Sequence, residues 1–206
     1  MCYIEKTKQL QAVFVLKTHM PLLGALMGLF LWSGALVAAL PASAAAPDLP
    51  KNFSYTVAMT GYNAVPGQTD DDPTVTASGS YANPEVVAAR SRDLKEVLPF
   101  GTIIKIEKVG SSTPNCGLHM VAPDIGYRVI ADTMHERIRN HVDVLFATDE
   151  NLAFGDKKMN AANILGSCEG VTITVVGHID ITRPSHLPKT QVELARLVHS
   201  SRVVLP

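Results

Sequence analysis

The apolar positions of this chain follow two different patterns. From Leu22 to Leu40 they form an almost unbroken run, whereas beyond Lys51 they come in short stretches that alternate with polar residues. The early run is preceded by Lys6, Lys8 and Lys17 and followed by Ala42-Ser43-Ala44, a small-residue site of the kind signal peptidase cuts. Residues 1–44 are therefore expected to be a signal peptide, removed after Ala44. The run is also about as long as a membrane-spanning helix requires, so an uncleaved anchor is the alternative. Gly24, Gly28, Gly34 and the terminal Ala-x-Ala pattern favour cleavage. No lipobox cysteine closes the run, so no lipid attachment is expected.

Residues 45–53 read as a short linker containing Pro47 and Pro50. Beyond it the pattern is that of β-strands. Ser54–Tyr62 alternates for part of its length, and Val86–Arg90 is short and apolar. Thr102–Val109 places Ile104 and Ile106 on one face, and Tyr127–Asp132 and His141–Phe146 are two further strands. Val171–Ile179 is β-branched and mostly apolar, as a buried strand should be. Between them, Gly67–Ser80 is a loop rich in Asp, Thr, Ser and Gly, and Gly110–Gly126 is a turn-rich insertion. Thr148 is placed to cap a short helix, with Asp149 and Glu150 in its first turn and Gly155 just past its end. Six short strands and one short helix in roughly 130 residues predict a mainly β fold, a small closed barrel spanning 54–181. The tail, 182–206, is interrupted by Pro184 and Pro188, and Thr190–Ser200 has the pattern of an amphipathic helix docked on the barrel.

Charge and composition narrow the range of partners. The net charge is −1 and no basic stripe with interleaved aromatics appears, so no nucleic-acid partner is expected. Cys2 falls in the leader, and the remainder keeps Cys116 and Cys168. An even count in an exported protein predicts one disulfide, the alternative being two unrelated thiols.

Three aspartates stand at or near strand ends. Asp93 precedes the turn Val97–Thr102, Asp132 ends one strand, and Asp143 lies in the next, between Val142 and Val144. A carboxylate among apolar strand residues is partly desolvated, which raises its pKa, and a second carboxylate nearby raises it further. A carboxylic acid kept protonated near neutral pH can donate to a glycosidic oxygen. Taken singly, each of these aspartates is better read as a turn cap that accepts backbone N–H bonds, and only their joint pattern shifts the weight. Tyr62 and Tyr81 flank the Thr-rich loop, as sugar-stacking rings or as ordinary barrel-edge aromatics. His135, Glu136 and His141 lack the spacing of a helical zinc site, and Asp70-Asp71-Asp72 lacks the glycine and distal glutamate of a calcium loop. Both groups read as solvated polar loops, and no metal site is expected.

Taken together, the aspartates and their neighbours carry a resemblance. Thr76-Ala77-Ser78-Gly79, Val87-Ala88-Ala89 through Asp93, Leu98-Pro99-Phe100-Gly101-Thr102, Ile130-Ala131-Asp132-Thr133 and Val142-Asp143-Val144-Leu145-Phe146 stand in the order and spacing of the three-aspartate (3D) domain. That domain occurs in the membrane-bound lytic transglycosylase A family and in resuscitation-type muralytic proteins. The resemblance spans about Tyr55 to Gly177 and implies a six-stranded double-psi β-barrel that cleaves peptidoglycan glycan strands. In it Asp143 matches the catalytic acid, Asp132 its neighbouring carboxylate and Asp93 the third aspartate. Thr76, Ser78 and Arg139, from the matched stretches, are expected substrate contacts, with Tyr62 added from its place beside the Thr-rich loop. The chain departs from the family at Met134–Asn140, where a glycine-rich Gly-Gly-Ala-Ile-Lys-Gly stretch is usual; bulkier residues there should reshape that wall of the site.

The expected activity is that of a lytic transglycosylase, needing no metal or cofactor and giving 1,6-anhydro products. Two alternatives stand beside it: a non-catalytic glycan-binding barrel of the expansin-like or rare lipoprotein A-like kind, and glycan hydrolysis with water as nucleophile. On either glycan reading the protein is exported, to the periplasm or cell envelope, and acts as a monomer. It would touch a membrane only through an uncleaved N-terminal segment.

Overall fold

The computed structural model describes residues 53–69, 72–109 and 115–200. The segment expected to be a signal peptide, with its expected cleavage site, most of the expected linker, Asp70, Asp71 and the end of the tail lie outside these residues. Within them are eight strands: β1 (Ser54–Asn63), β2 (Val87–Arg90), β3 (Thr102–Val109), β4 (Tyr127–Thr133), β5 (His141–Phe146), β6 (Asn151–Phe154), β7 (Lys157–Asn160) and β8 (Cys168–His178). Three α-helices accompany them: α1 (Leu118–Ile125), α2 (Ala161–Leu165) and α3 (Gln191–His199). No helix among the described residues is long and apolar enough to cross a membrane.

Six strands close into a barrel in the order β1-β5-β2-β4-β3-β8. The pairs β1–β5 and β2–β4 are parallel and the other four are antiparallel. This mixed closed barrel is compatible with a double-psi fold, and its six strands are the six that hydrophobic patterning predicts. Alternation explains why they form. Val57 and Met59 of β1, Ala88 of β2, Ile104 of β3, Ile130 of β4, Val142 and Val144 of β5, and Val171, Ile173 and Val175 of β8 join one buried cluster that draws on every barrel strand. Positions one residue away, Val87, Ala89, Ile103, Val129, Ala131 and Leu145, belong to a second cluster on the opposite faces.

The C-terminal segment covers that second cluster. Thr190 caps α3 by accepting from the Glu193 backbone N–H at 3.2 Å, while the Glu193 carboxylate accepts from Lys189 N at 2.8 Å. Leu194 is fully buried against the cluster, with Leu197 and Val198 beside it. Gln191 fastens the helix start to β4, its side chain accepting from Tyr127 N at 3.1 Å and donating to Tyr127 O at 2.8 Å.

The connections differ from expectation in two places. The segment after Thr148 is not a helix but the hairpin β6–β7, with Phe154 paired to Lys157 across Gly155-Asp156. Gly155 has φ +60°, so the glycine that fits a helix stop instead sits at the first position of a two-residue hairpin turn. The insertion 110–126 ends in α1, whose Leu118, Val121 and Ile125 are buried at helical spacing despite Pro123. Helix α2 follows at once from β7, capped by the Asn160 side chain, which accepts from Ala162 N at 3.0 Å. The Cys116–Cys168 disulfide forms, with Cα atoms 4.7 Å apart, and ties the segment entering α1 to the first residue of β8.

Candidate active site

The site begins with strand register. Parallel pairing of β1 and β5 sets Thr60 opposite Asp143, and antiparallel pairing of β5 and β2 sets Asp143 opposite Ala89. Between β2 and β4 the register slips by one residue after Ala88↔Ile130, so that Ala89 meets Asp132 rather than Ala131. A slip of one residue exchanges the two faces of a strand. The bulge therefore turns Asp132 towards the face that already holds Asp143, and the four residues Thr60, Asp143, Ala89 and Asp132 form one row across four strands. Two strand spacings put the aspartate Cα atoms on the order of 9–10 Å apart, with only the methyl group of Ala89 between them.

This row lies in an open cleft of about 540 Å³, lined by Tyr62, Ala89, Asp132 and Asp143 among others. One wall is the loop after β1, through Gln68, Thr69, Val75 and Ala77; the other is the β4–β5 connection, through Met134, His135 and Ile138. Arg92 stands at the rim and reaches Glu136 of that connection at 3.8 Å. Both side chains are well exposed, so this ion pair contributes little to stability.

The two cleft carboxylates have different surroundings. Asp132 accepts three hydrogen bonds: from the Tyr62 hydroxyl at 3.0 Å, from Ala77 N at 2.9 Å and from Thr133 N at 2.8 Å. Burial raises the Tyr62 hydroxyl well above its ordinary pKa, and the Asp132 charge adds to that, so Tyr62 remains a donor. Asp143 has fewer hydrogen-bond partners. Burial pushes its carboxyl up to about 6; the hydrogen bond from Thr60 at 2.9 Å opposes that rise, and the Asp132 charge assists it. Asp143 is thus poised to hold a proton close to neutral pH and give it up.

Asp93 has a different place. It sits in the 3-10 turn Arg92–Leu94, is not among the cleft residues, and accepts from Asn140 N at 3.0 Å. Burial alone would raise its pKa, but hydrogen bonds from Ser91, Asn140 and its own backbone, with the Arg139 charge, outweigh that and hold it below the ordinary value. Asn140 has φ +47°, a left-handed conformation that asparagine tolerates better than most residues. Asp93 therefore tethers the β4–β5 connection at Asn140, and Arg139 acts on it and is not among the cleft residues. Thr76 and Ser78 likewise serve the opposite wall. Thr76 is buried and its hydroxyl lies 3.1 Å from Ser80 O and 3.0 Å from the Ser78 hydroxyl, while Ser78 N donates to Ala131 O at 3.0 Å. Those bonds hold Ala77 where its N–H meets Asp132.

Of the residues expected at the site, the cleft therefore gathers Tyr62, Asp132 and Asp143, while Asp93, Thr76, Ser78 and Arg139 shape its walls from behind. Thr60 carries no motif, and Ala89 and Arg92 stand within the Val87–Asp93 stretch with no role read from it; register places Thr60 and Ala89 beside the aspartates, and the cleft lining adds Arg92. His141 is not in a solvated loop: it is the first residue of β5 and half-buried. Its Nε2 lies 2.9 Å from Thr60 Oγ1. Among the described residues no three His, Cys, Asp or Glu side chains gather as a metal-ligand set. No family model matches the chain, and no curated protein is significantly similar to it.

Proposed function

We propose that this cleft cleaves peptidoglycan glycan strands as a lytic transglycosylase, with Asp143 as the catalytic acid and then base. The observation that carries the reading is a mostly buried carboxyl, raised to about 6, on the floor of an open cleft with a second carboxylate in the same strand row. The ordered 3D-domain motifs and the mixed six-stranded barrel support it.

Protonated Asp143 gives its proton to the oxygen linking N-acetylmuramic acid to N-acetylglucosamine. The bond from that oxygen to the muramyl anomeric carbon breaks, and the N-acetylglucosamine part leaves as an alcohol. Positive charge then develops at the anomeric carbon, where the Asp132 carboxylate, oriented by Tyr62, Ala77 and Thr133, opposes it. The Asp143 carboxylate next takes the proton from the muramyl 6-hydroxyl as that oxygen attacks the anomeric carbon, closing a 1,6-anhydro ring and restoring the acid. No water enters the products. An internal nucleophile of this kind lets one acid/base residue do the work that hydrolysing glycosidases divide between two carboxyl groups. The disulfide fits an oxidising, exported setting, where such a substrate lies.

A second reading has its own observation. Met134, His135 and Ile138 line the cleft where the 3D family is glycine-rich, and a narrowed wall suits a barrel that holds glycan without cutting it. Incubating the protein with purified, insoluble peptidoglycan separates the two. Soluble muropeptides carrying anhydro ends support cleavage; protein that pellets with the wall and releases nothing supports binding.

A further inference from the structure

The side chains behind Asp143 deepen this reading and rest on it. Thr60 Oγ1 lies 2.9 Å from Asp143 Oδ1 and 2.9 Å from His141 Nε2. Strand geometry explains the grouping: His141 and Asp143 are two apart on β5 and share a face, and parallel pairing brings Thr60 of β1 opposite Asp143. His141 is also fixed at its backbone, its N–H donating to the Ser91 hydroxyl at 3.0 Å and its carbonyl accepting from Ser91 N at 2.9 Å.

A hydroxyl has one proton to give. When Thr60 gives it to Asp143, its contact with His141 must be an accepted bond, so Nε2 must carry a hydrogen. We propose that His141 and Thr60 are positioning residues that fix where Asp143 carries its acid proton: Nε2–H donates to Thr60, Thr60 donates to Oδ1, and Oδ2 is left as the oxygen that holds the transferable proton. With the opposite tautomer Nε2 would draw the Thr60 proton to itself. Thr60 would then accept from Asp143, and the acid proton would be tied up inside the barrel wall. Burial lowers the His141 pKa, against a smaller opposing effect of Glu169, so the ring is neutral at neutral pH and one nitrogen carries the hydrogen.

The ionisable groups that bear on this chain come from several elements. Asp132 of β4 and Tyr62 of β1 act on each other and on Asp143, Arg92 and His135 line the same cleft, and Glu169 of β8 acts on His141. None of them is altered by the substitutions below.

The test is carboxyl NMR titration of the full chain, with the Asp143 resonance assigned through Asp143→Asn, together with nitrogen chemical shifts of the His141 ring. Thr60→Val keeps the shape and removes the donor; Thr60→Ser keeps the donor. Thr60→Val should raise the Asp143 midpoint by about half to one pH unit, the difference between a charge-assisted and a neutral hydrogen bond. Thr60→Ser should leave the midpoint near wild type. His141→Leu should raise it by less than Thr60→Val does, and His141→Gln, which restores an N–H donor, should return it towards wild type. At neutral pH the wild-type ring should be the Nε2–H tautomer. An Nδ1–H tautomer, or a Thr60→Val midpoint equal to wild type, would overturn the proposal. Both readouts need no substrate: failure to cut peptidoglycan with the chain intact would remove the reaction and leave the chain standing, and the converse result would do the opposite.

Discussion

Replacing Asp143 by asparagine isolates the physical state on which the mechanism depends. The carboxyl rises from an ordinary 3.8 to about 6 in the folded protein, so between those values the native state holds a proton that the unfolded chain has lost. Stability must then fall as pH rises through that window, because ionising Asp143 in place costs more than ionising it in water. The difference of about two pH units corresponds to about 3 kcal/mol at most, and nearer 2 kcal/mol because the carboxyl keeps an open edge to the cleft. Asparagine has nearly the same shape, can accept from Thr60 through its amide oxygen, and has no charge to bury. The variant and wild type should therefore be equally stable near pH 4. By pH 7 the variant should be the more stable by about 2 kcal/mol, or about 4–8 °C in melting temperature. Urea unfolding of both proteins at half-unit pH steps measures this directly. Taking the difference between the two cancels the carboxylates that the substitution leaves in place, among them Asp72, Asp93 and Asp180, which act in the opposite sense. A difference that stayed flat from pH 4 to 7 would show that Asp143 is not desolvated, and the acid assignment would lose its physical basis.

Three further outcomes follow from the geometry. Ala89→Leu places a branched side chain between the two aspartates; glycan turnover should drop on the order of 100-fold while overpacking costs about 1–3 kcal/mol, as kinetics and melting will show. Asp93→Ala removes the acceptor for Asn140 N and should cost up to about 1.5 kcal/mol in this exposed setting. Because Asp93 is held below its ordinary pKa, its contribution is full above that ordinary value and is lost as pH falls from it through the lowered one. The variant and wild type should therefore converge in the most acidic unfolding curves. Reducing Cys116–Cys168, which are 52 residues apart, should lower stability by about 4 kcal/mol on the chain-entropy account; an unchanged urea midpoint would show that the bridge constrains nothing.

Much of the barrel is legible in the sequence because its strands obey alternation. β3, β5 and the apolar part of β8 fall where the pattern puts them, since each must bury one face or both. The hairpin β6–β7 escapes that reading because Gly155-Asp156 serves a helix end and a two-residue turn equally well, and only pairing decides between them. α1 is hidden inside a segment where Pro114 and Pro123 suggest turns. At the site, Asp143 and Asp132 are recognisable by their apolar neighbours and their motif, but their meeting depends on the register slip beyond Ala88, which no periodicity reveals. Thr60 and Ala89 are ordinary strand residues until register sets them beside the carboxylates. Asp93 is the third aspartate only through the resemblance to the 3D domain, and its backbone partner, Asn140, is evident only in three dimensions.

On the proposed mechanism Asp143 protonates a glycosidic oxygen and the muramyl 6-hydroxyl, not water, completes the reaction. Mass analysis of the products released from purified peptidoglycan, by wild type and by Asp143→Asn at pH 5–6, tests it most directly. Wild type should release muropeptides one water lighter than hydrolysis products, and the variant none although it remains folded. Hydrated reducing ends from wild type, or anhydro products from Asp143→Asn at the wild-type rate, would contradict it.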